Sequence, residues 1–182
     1  MSAPDLVLLD RDGVINADRP DFVKSPDEWV PLPRSLQAIA RLSRAGIEIA
    51  VVTNQSGVAR GLLSQTTLAS IHARMSREVE QLGGRIAAIA CCMHGPEDGC
   101  VCRKPAAGLL EQAAESLGRI PAMSLLIGDR ASDLQAARTF GCEAWLVRSG
   151  HGRHTERRLG AGDAQAVFDD LGSAADAILA MR

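Results

Sequence analysis

The chain has 182 residues, of which 46% are hydrophobic, and its 20 Lys and Arg against 22 Asp and Glu give a formal net charge of -2. This length and apolar content fit one α/β domain. The near-neutral charge and the 3% of aromatic residues argue against a nucleic-acid-binding surface, so we expect a small-molecule partner.

The first apolar run, residues 6–9, meets charge at Asp10 and is too short for a signal peptide or a membrane span. We therefore expect a cytoplasmic protein with no membrane partner. Four of the five cysteines fall between residues 91 and 102. An odd number of cysteines in a reducing compartment favours a metal site over a disulfide framework.

Short apolar runs alternate with helical patterns along the chain. The predicted strands are residues 6–10, 47–54, 85–92, 123–129, 143–150 and 165–170, and the predicted helices are residues 34–45, 64–82, 106–118 and 131–140. This alternation predicts an α/β fold of Rossmann-like type, a three-layer αβα sandwich around a parallel sheet. Residues 16–34 and 55–64 are modest loops, so we expect one domain over 1–182 without a large cap domain.

Acidic residues end two of the predicted strands. Asp10 and Asp12 are two positions apart and point to the same side of an extended chain, and Asp129 ends another strand. Two unit charges about 4 Å apart repel by roughly 4 kcal/mol at an effective dielectric of about 20, so converging carboxylates need a cation. Oxygen ligands favour Mg²⁺. A turn that Asp10 and Asp12 merely cap is the alternative.

Phosphate-binding groups are predicted at the same edge of the sheet. Thr53 and Asn54 end the second strand and precede "QSG", which supplies a hydroxyl and backbone N–H groups. Lys104 precedes Pro105 at the start of a helix, where its charge can balance carboxylates and phosphate. A turn at "TNQSG" and a solvated surface lysine are the structural alternatives.

A second metal site is predicted in a loop over residues 91–103. Cys92 and His94 face one way in extended backbone, as do Cys100 and Cys102. Three thiolates and one imidazole form a closed tetrahedral set that suits structural Zn²⁺. Four incidental buried residues or a redox pair are the alternatives. Cys91 and Cys142 are expected in the core.

The segments "DRDG" (10–13), "TN" (53–54), Lys104 and "GDRASD" (128–133) resemble, in this order, the four motifs of the haloacid dehalogenase superfamily. The resemblance implies a Mg²⁺-dependent phosphomonoesterase in which Asp10 is the nucleophile and Asp12 the general acid and base. It also implies that Thr53 and Lys104 stabilise the transferred phosphoryl group. The implied Mg²⁺ ligands are the side chains of Asp10 and Asp129 and the backbone carbonyl of Asp12, while Asp133 lies next to them.

Together with the cysteine loop, "VVTNQSGVARG" and "GDRASDLQAA" resemble the bacterial heptose bisphosphate phosphatases. This implies a phosphorylated sugar as substrate, loss of its C7 phosphate, preferably from the β anomer, and a role in lipopolysaccharide precursor synthesis. We expect a monomer. The expected substrate-binding residues are Arg11, Asp18, Asn54, Gln55, Ser56, Arg60, Arg103 and Arg130.

Three alternatives remain. Met93 and the short cysteine loop resemble the zinc-bearing histidinol-phosphate phosphatases, although "SGVARG" favours the heptose enzymes. A zinc-ordered module that binds phosphorylated ligands without catalysis would not need the acidic motif set. A phosphatase acting on nucleic-acid ends is disfavoured by the charge. Residues 149–158 form either a basic surface loop or one that reaches the site, and we assign no role to His151 or His154.

Overall fold

A parallel sheet forms the centre of the computed structural model, which describes residues 3–160 and 162–182. Its spatial order is β3-β2-β1-β4-β5-β6. The strands are β1 (Leu6–Leu9), β2 (Glu48–Asn54), β3 (Ala88–Cys92), β4 (Ser124–Gly128), β5 (Glu143–Val147) and β6 (Ala166–Phe168). The strand order reverses between β1 and β4, so the switch point where such sheets bind ligands lies beside Asp10.

Helices cover both faces of the sheet. They are α1 (Ser35–Arg44), α2 (Gln65–Gln81), α3 (Gly108–Ser116), α4 (Ala131–Phe140), α5 (Gly152–Glu156) and α6 (Leu171–Leu179). Helices α1, α2 and α6 pack on one apolar cluster, and α3 and α4 pack on the other. Successive residues of β1 alternate between the two clusters, as a strand buried on both faces requires. The predicted αβα sandwich without a large cap is confirmed.

Several element boundaries differ from the predictions. Strand β3 begins at Ala88 rather than at residue 85, because this edge strand pairs only with β2 and the pairing begins at Ala88. Strand β5 ends at Val147, and α3 begins at Gly108. Helices α5 and α6 were not predicted. Among the described residues, no helix combines the length and apolar character that crossing a membrane requires.

Candidate active site

The carboxyl ends of β1 and β4 bring three aspartates together. Asp10 continues β1, since its backbone N–H donates to Ile127 O at 3.0 Å. One carboxylate oxygen from each of Asp10, Asp129 and Asp133 lies within 4.8 Å of the others. Lys104 Nζ lies 3.0 Å from Asp10 Oδ1 and 2.6 Å from Asp133 Oδ1. When ionised, these buried groups carry three negative charges against one positive charge, so the cluster favours a further cation.

The protonation properties of the cluster show the same excess of negative charge. Burial, with repulsion from Asp10 and Asp133, raises the pKa of Asp129 to about 8. Burial also raises the pKa of Asp10 to about 6, although Lys104 opposes the shift. Among the residues that the structure describes, no group donates a hydrogen bond to the buried Asp129 Oδ1. An unpaired carboxylate oxygen beside a second carboxylate is a donor set that fits Mg²⁺.

The loop after β5 closes against Asp129. The His151 backbone N–H donates to Asp129 Oδ2 at 2.7 Å, and Thr155 Oγ1 donates to Asp129 O at 2.8 Å. Gly13 and Gly150 have positive φ values of 86° and 56°, and a Cβ on either would overlap Asp129 Oδ2. This role of residues 149–155 was not predicted, and the sequence signal for the close approach is the glycines at positions 13 and 150.

The Asp12 carboxylate is held by hydrogen bonds from neighbouring side chains and is separate from the cluster of Asp10, Asp129 and Asp133. Arg11 Nη2 donates to both of its carboxylate oxygens at 2.9 Å. Asn16 Nδ2 donates to Oδ1 at 2.9 Å, and Gln55 Nε2 donates to Oδ2 at 2.7 Å. Burial acts to raise the pKa of Asp12, but Arg11 and these hydrogen bonds outweigh it and hold that pKa below its ordinary value. The carboxylate is therefore ionised in this arrangement.

The position of Arg11 differs from the prediction that it binds substrate. Its side chain is fully buried and does not line the cavity. Neighbouring residues of an extended chain point in opposite directions, so Arg11 faces away from the side that Asp10 presents. In this structure Arg11 holds Asp12, and its direct contact with substrate stays a prediction.

Asn54 and Gln55 line the cavity but bond extensively to the protein. Asn54 Nδ2 donates to Lys104 O at 3.0 Å, and Asn54 Oδ1 accepts from Lys104 N at 3.1 Å. Gln55 Nε2 also donates to Thr53 Oγ1 at 2.9 Å. Both amides thus position Lys104, Asp12 and Thr53, a contribution that was not predicted from the sequence.

A cavity of about 530 Å³ opens above the acidic cluster. Ten of the residues predicted for the site line it: Asp10, Asp12, Asp18, Thr53, Asn54, Gln55, Ser56, Arg103, Lys104 and Arg130. At its mouth, Asp18 Oδ2 accepts hydrogen bonds from Arg130 Nη2 at 2.7 Å and pairs with His151 Nε2 at 2.8 Å. Residues 149–158 thus reach the site through His151.

Arg60 also departs from its predicted role. It is exposed and does not line the cavity. Its guanidinium carbon lies 6.0 Å from the ring centroid of Phe22, which does line it. Arg60 therefore stacks behind the cavity wall, at a distance suited to a cation–π contact. Direct substrate contact by Arg60 does not fit this structure.

The predicted zinc ligands converge in the loop between β3 and α3. Cys92 Sγ lies 3.6 Å from His94 Nδ1 and 3.7 Å from Cys100 Sγ. Cys102 Sγ lies 3.3 Å from His94 Nδ1 and 3.5 Å from Cys100 Sγ. Zn–S bonds of about 2.3 Å correspond to tetrahedral edges of about 3.8 Å. The four donors therefore fit one Zn²⁺.

The cysteine loop also contacts the cavity wall. Arg103 Nη1 donates to His94 O at 3.2 Å, and Arg103 lines the cavity. Desolvation acts to raise the pKa of Cys100, but hydrogen bonds from the Arg103 backbone N–H and neighbouring thiols hold it at about 7. Cys91 and Cys142 are half-buried beside the two apolar clusters.

Comparisons with known proteins identify the family. Residues 101–174 match a family model described as "HAD-hyrolase-like". The D-glycero-beta-D-manno-heptose-1,7-bisphosphate 7-phosphatase of Bordetella bronchiseptica is 48% identical over 178 residues, covering 96% of this chain and 97% of the relative. The chain belongs to the heptose bisphosphate phosphatase family. The family member of Pseudomonas aeruginosa, which carries the same name, is 47% identical over 176 residues, covering 96% of this chain and 97% of the relative.

Solved structures of the heptose bisphosphate phosphatase family have the same fold. A crystal structure of the B. bronchiseptica D,D-heptose 1,7-bisphosphate phosphatase, complexed with magnesium and phosphate, superposes with a TM-score of 0.94 at 47% identity. The match covers 98% of this chain and 99% of the other. A Burkholderia thailandensis enzyme of the same name gives a TM-score of 0.75 at 39% identity and covers 96% of this chain and 98% of the other. The family resemblance of the sequence motifs is confirmed.

Proposed function

We propose that this chain hydrolyses the C7 phosphate of D-glycero-β-D-manno-heptose 1,7-bisphosphate and releases heptose 1-phosphate and inorganic phosphate. The observation that carries the proposal is the buried group of Asp10, Asp129 and Lys104 beneath a polar cavity. Support comes from the relative of that name, which is similar over 96% of this chain. In this role the enzyme serves ADP-heptose synthesis for the lipopolysaccharide core.

The first step in this proposal is phosphoryl transfer to Asp10. Its carboxylate oxygen attacks phosphorus, the P–O bond to the C7 oxygen breaks, and an aspartyl phosphate forms. Mg²⁺ held by the Asp10 and Asp129 side chains and the Asp12 backbone carbonyl would neutralise charge on the phosphoryl oxygens. Thr53 Oγ1 and Lys104 Nζ stabilise the same charge from the cavity wall.

Asp12 transfers a proton in both steps of the proposed reaction. It donates a proton to the departing C7 oxygen and later accepts one from the water that attacks the aspartyl phosphate. Arg11, Asn16 and Gln55 favour its ionised form, which suits the second step. The substrate phosphate opposes that effect in the first step, since a nearby like charge raises a carboxyl pKa.

Substrate selection is assigned to the polar residues around the cavity mouth. Arg103, in the loop after β3, and Arg130, at the start of α4, both line the cavity, and each guanidinium can bind phosphate or sugar oxygens through two hydrogen bonds. Ser56 and Asp18 supply further hydrogen-bonding groups for hydroxyls. Asn54 and Gln55 contribute mainly by holding Lys104 and Asp12.

We assign a structural Zn²⁺ to Cys92, His94, Cys100 and Cys102. The four donors lie at separations that suit tetrahedral coordination. The metal would hold the loop that carries Arg103 and Lys104 and would supply no open position for water. We further propose that the enzyme is cytoplasmic and that it is a monomer. Light scattering would test the monomeric state.

The proposed function is tested by the kcat/KM for Mg²⁺-dependent phosphate release. The substrates are the β and α anomers of heptose 1,7-bisphosphate and histidinol phosphate, with the Asp10→Asn variant as control. We expect the β anomer to be preferred and all turnover to be lost in the variant. Faster turnover of histidinol phosphate would refute the heptose assignment. Absence of phosphatase activity with a bound phosphorylated ligand would instead support a binding module.

A further inference from the structure

We propose that His72 is a positioning residue that accepts a hydrogen bond from Arg11 and thereby holds the Asp12 carboxylate in its working orientation. His72 lies on α2, far along the chain from the acidic motif, and does not line the cavity. The inference rests on the proposed function, since it takes Asp12 as the general acid and base. It extends the site to a helix on the far side of Arg11.

The guanidinium of Arg11 makes hydrogen bonds on two sides. Nε donates to Asp12 Oδ1 at 3.2 Å, and Nη2 donates to both Asp12 oxygens and to Gln55 Oε1 at 3.1 Å. Nη1, on the side turned away from Asp12, lies 3.3 Å from His72 Nε2. Within residues 3–160 and 162–182, Nη1 has no other hydrogen-bond partner. His72 therefore holds the end of the guanidinium that Asp12 leaves free.

His72 is suited to accept this hydrogen bond. Its burial, followed by the adjacent Arg11 charge, lowers its pKa to about 4, while Asp12 acts in the opposite direction. The ring is therefore neutral at neutral pH. With its proton on Nδ1, the ring presents a lone pair at Nε2 to Arg11.

Loss of the His72 acceptor would weaken the hold on Arg11, and through Arg11 the hold on the Asp12 carboxylate. Arg11 is fully buried, and a buried N–H without a partner favours rearrangement. Rotation of the guanidinium would move the carboxylate that it grips, and a displacement of about 1 Å in a reacting group can cost roughly 100-fold in rate. The defect should fall on proton transfer and leave the nucleophile in place, because Arg11 reaches Asp10 through its backbone N–H, at 2.8 Å from Asp10 Oδ1, rather than through its guanidinium.

The test compares two classes of phosphate ester. Departure of a sugar alkoxide needs a proton from Asp12, whereas p-nitrophenolate leaves without one. We would measure kcat/KM for heptose bisphosphate and for p-nitrophenyl phosphate, because kcat/KM excludes the later hydrolysis of the aspartyl phosphate. The variants are His72→Leu, which removes the acceptor, and His72→Gln, whose Oε1 restores it. Gln81→Leu is the matched control, since Gln81 is an exposed residue of the same helix.

We expect His72→Leu to lose about 10- to 100-fold on the sugar ester and less than about threefold on p-nitrophenyl phosphate. His72→Gln and Gln81→Leu should stay within about threefold of the parent on both esters. Equal losses on the two esters, or no loss on either, would overturn the proposal. So would a His72→Gln variant as defective as His72→Leu.

Two further outcomes are separable. If His72→Leu does not fold, as circular dichroism would report, His72→Gln and a His72→Asn variant with a shorter reach decide the same ester comparison. If the parent enzyme cleaves p-nitrophenyl phosphate but not heptose bisphosphate, the proposed substrate is wrong. The role of His72 is then tested with histidinol phosphate as the alkyl ester. The loss of kcat/KM on that ester is compared with the loss on p-nitrophenyl phosphate, as before.

Discussion

Lowering the pH should weaken Mg²⁺ binding through a proton on Asp129. Burial and the neighbouring carboxylates raise the pKa of Asp129 to about 8, so a bound Mg²⁺ must displace this proton below that pH. Each pH unit then costs a factor of about 10 in affinity, or about 1.4 kcal/mol. Between about pH 8 and pH 6 we expect the apparent Kd to rise about 100-fold. Below about 6, where Asp10 also takes up a proton, the dependence should steepen.

Isothermal titration calorimetry of Mg²⁺ into Mg²⁺-free protein would measure this effect. Titrations in buffers with different ionisation enthalpies count the protons released, and we expect about one per Mg²⁺ near pH 7. Asp129→Asn should abolish both the tight binding and the proton release. Asp169→Asn, which changes an exposed carboxylate, is the matched control. A Kd that is constant between about pH 6 and pH 8 would refute the reasoning.

The same raised pKa values set the pH dependence of the Mg²⁺-free fold. Protonation of Asp10 and Asp129 stabilises the folded state fully below their ordinary value of 3.8. This contribution is lost as the pH rises through about 6 for Asp10 and about 8 for Asp129. The Tm of the Mg²⁺-free protein should therefore fall over this range, and added Mg²⁺ should restore it most at the alkaline end.

Other substitutions test individual parts of the site. Asp10→Asn should lower phosphate release by at least about 10⁴-fold while leaving the fold intact, as measured by a phosphate assay and circular dichroism. Gly150→Ala should lower the Tm and weaken Mg²⁺ binding in calorimetry, because its Cβ would overlap the Asp129 carboxylate. Cys100→Ser should release zinc, measured by metal analysis, and raise the KM by about 10-fold or more as the loop bearing Arg103 loosens. Zinc retention with an unchanged KM would contradict the assigned ligand set.

Much of the fold could be predicted because its strands are buried on both faces. Continuous apolar runs marked β1, β2 and β4, and the spacing of apolar residues marked α2. Helix α6 was missed although its signals are present. Asp170 caps it by accepting from Ser173 N at 2.7 Å, and Leu171, Ala174 and Ile178 bury one face. The small residues between them obscure the helical spacing of the apolar residues. Helix α5 has five residues, too few to show a helical spacing.

The site was predictable where its residues end strands and less so where contacts cross the fold. The edge rule for parallel sheets located Asp10, Thr53 and Asp129. The direction of Arg11 could have been found, since the alternation that aligns Asp10 with Asp12 turns Arg11 away. The contacts of His72 and His151 could not, because each partner is brought close only by the packing of another element.

The His151 contact to Asp129 also determines when, during synthesis, the acidic centre becomes complete. Asp10 is among the first residues made, Lys104 follows after the middle of the chain, and the N–H that holds Asp129 belongs to His151, in the loop after β5. A nascent chain that ends before residue 151 therefore carries the nucleophile without a complete acidic centre. Phosphatase activity should therefore emerge only after the ribosome has released that loop from its exit tunnel.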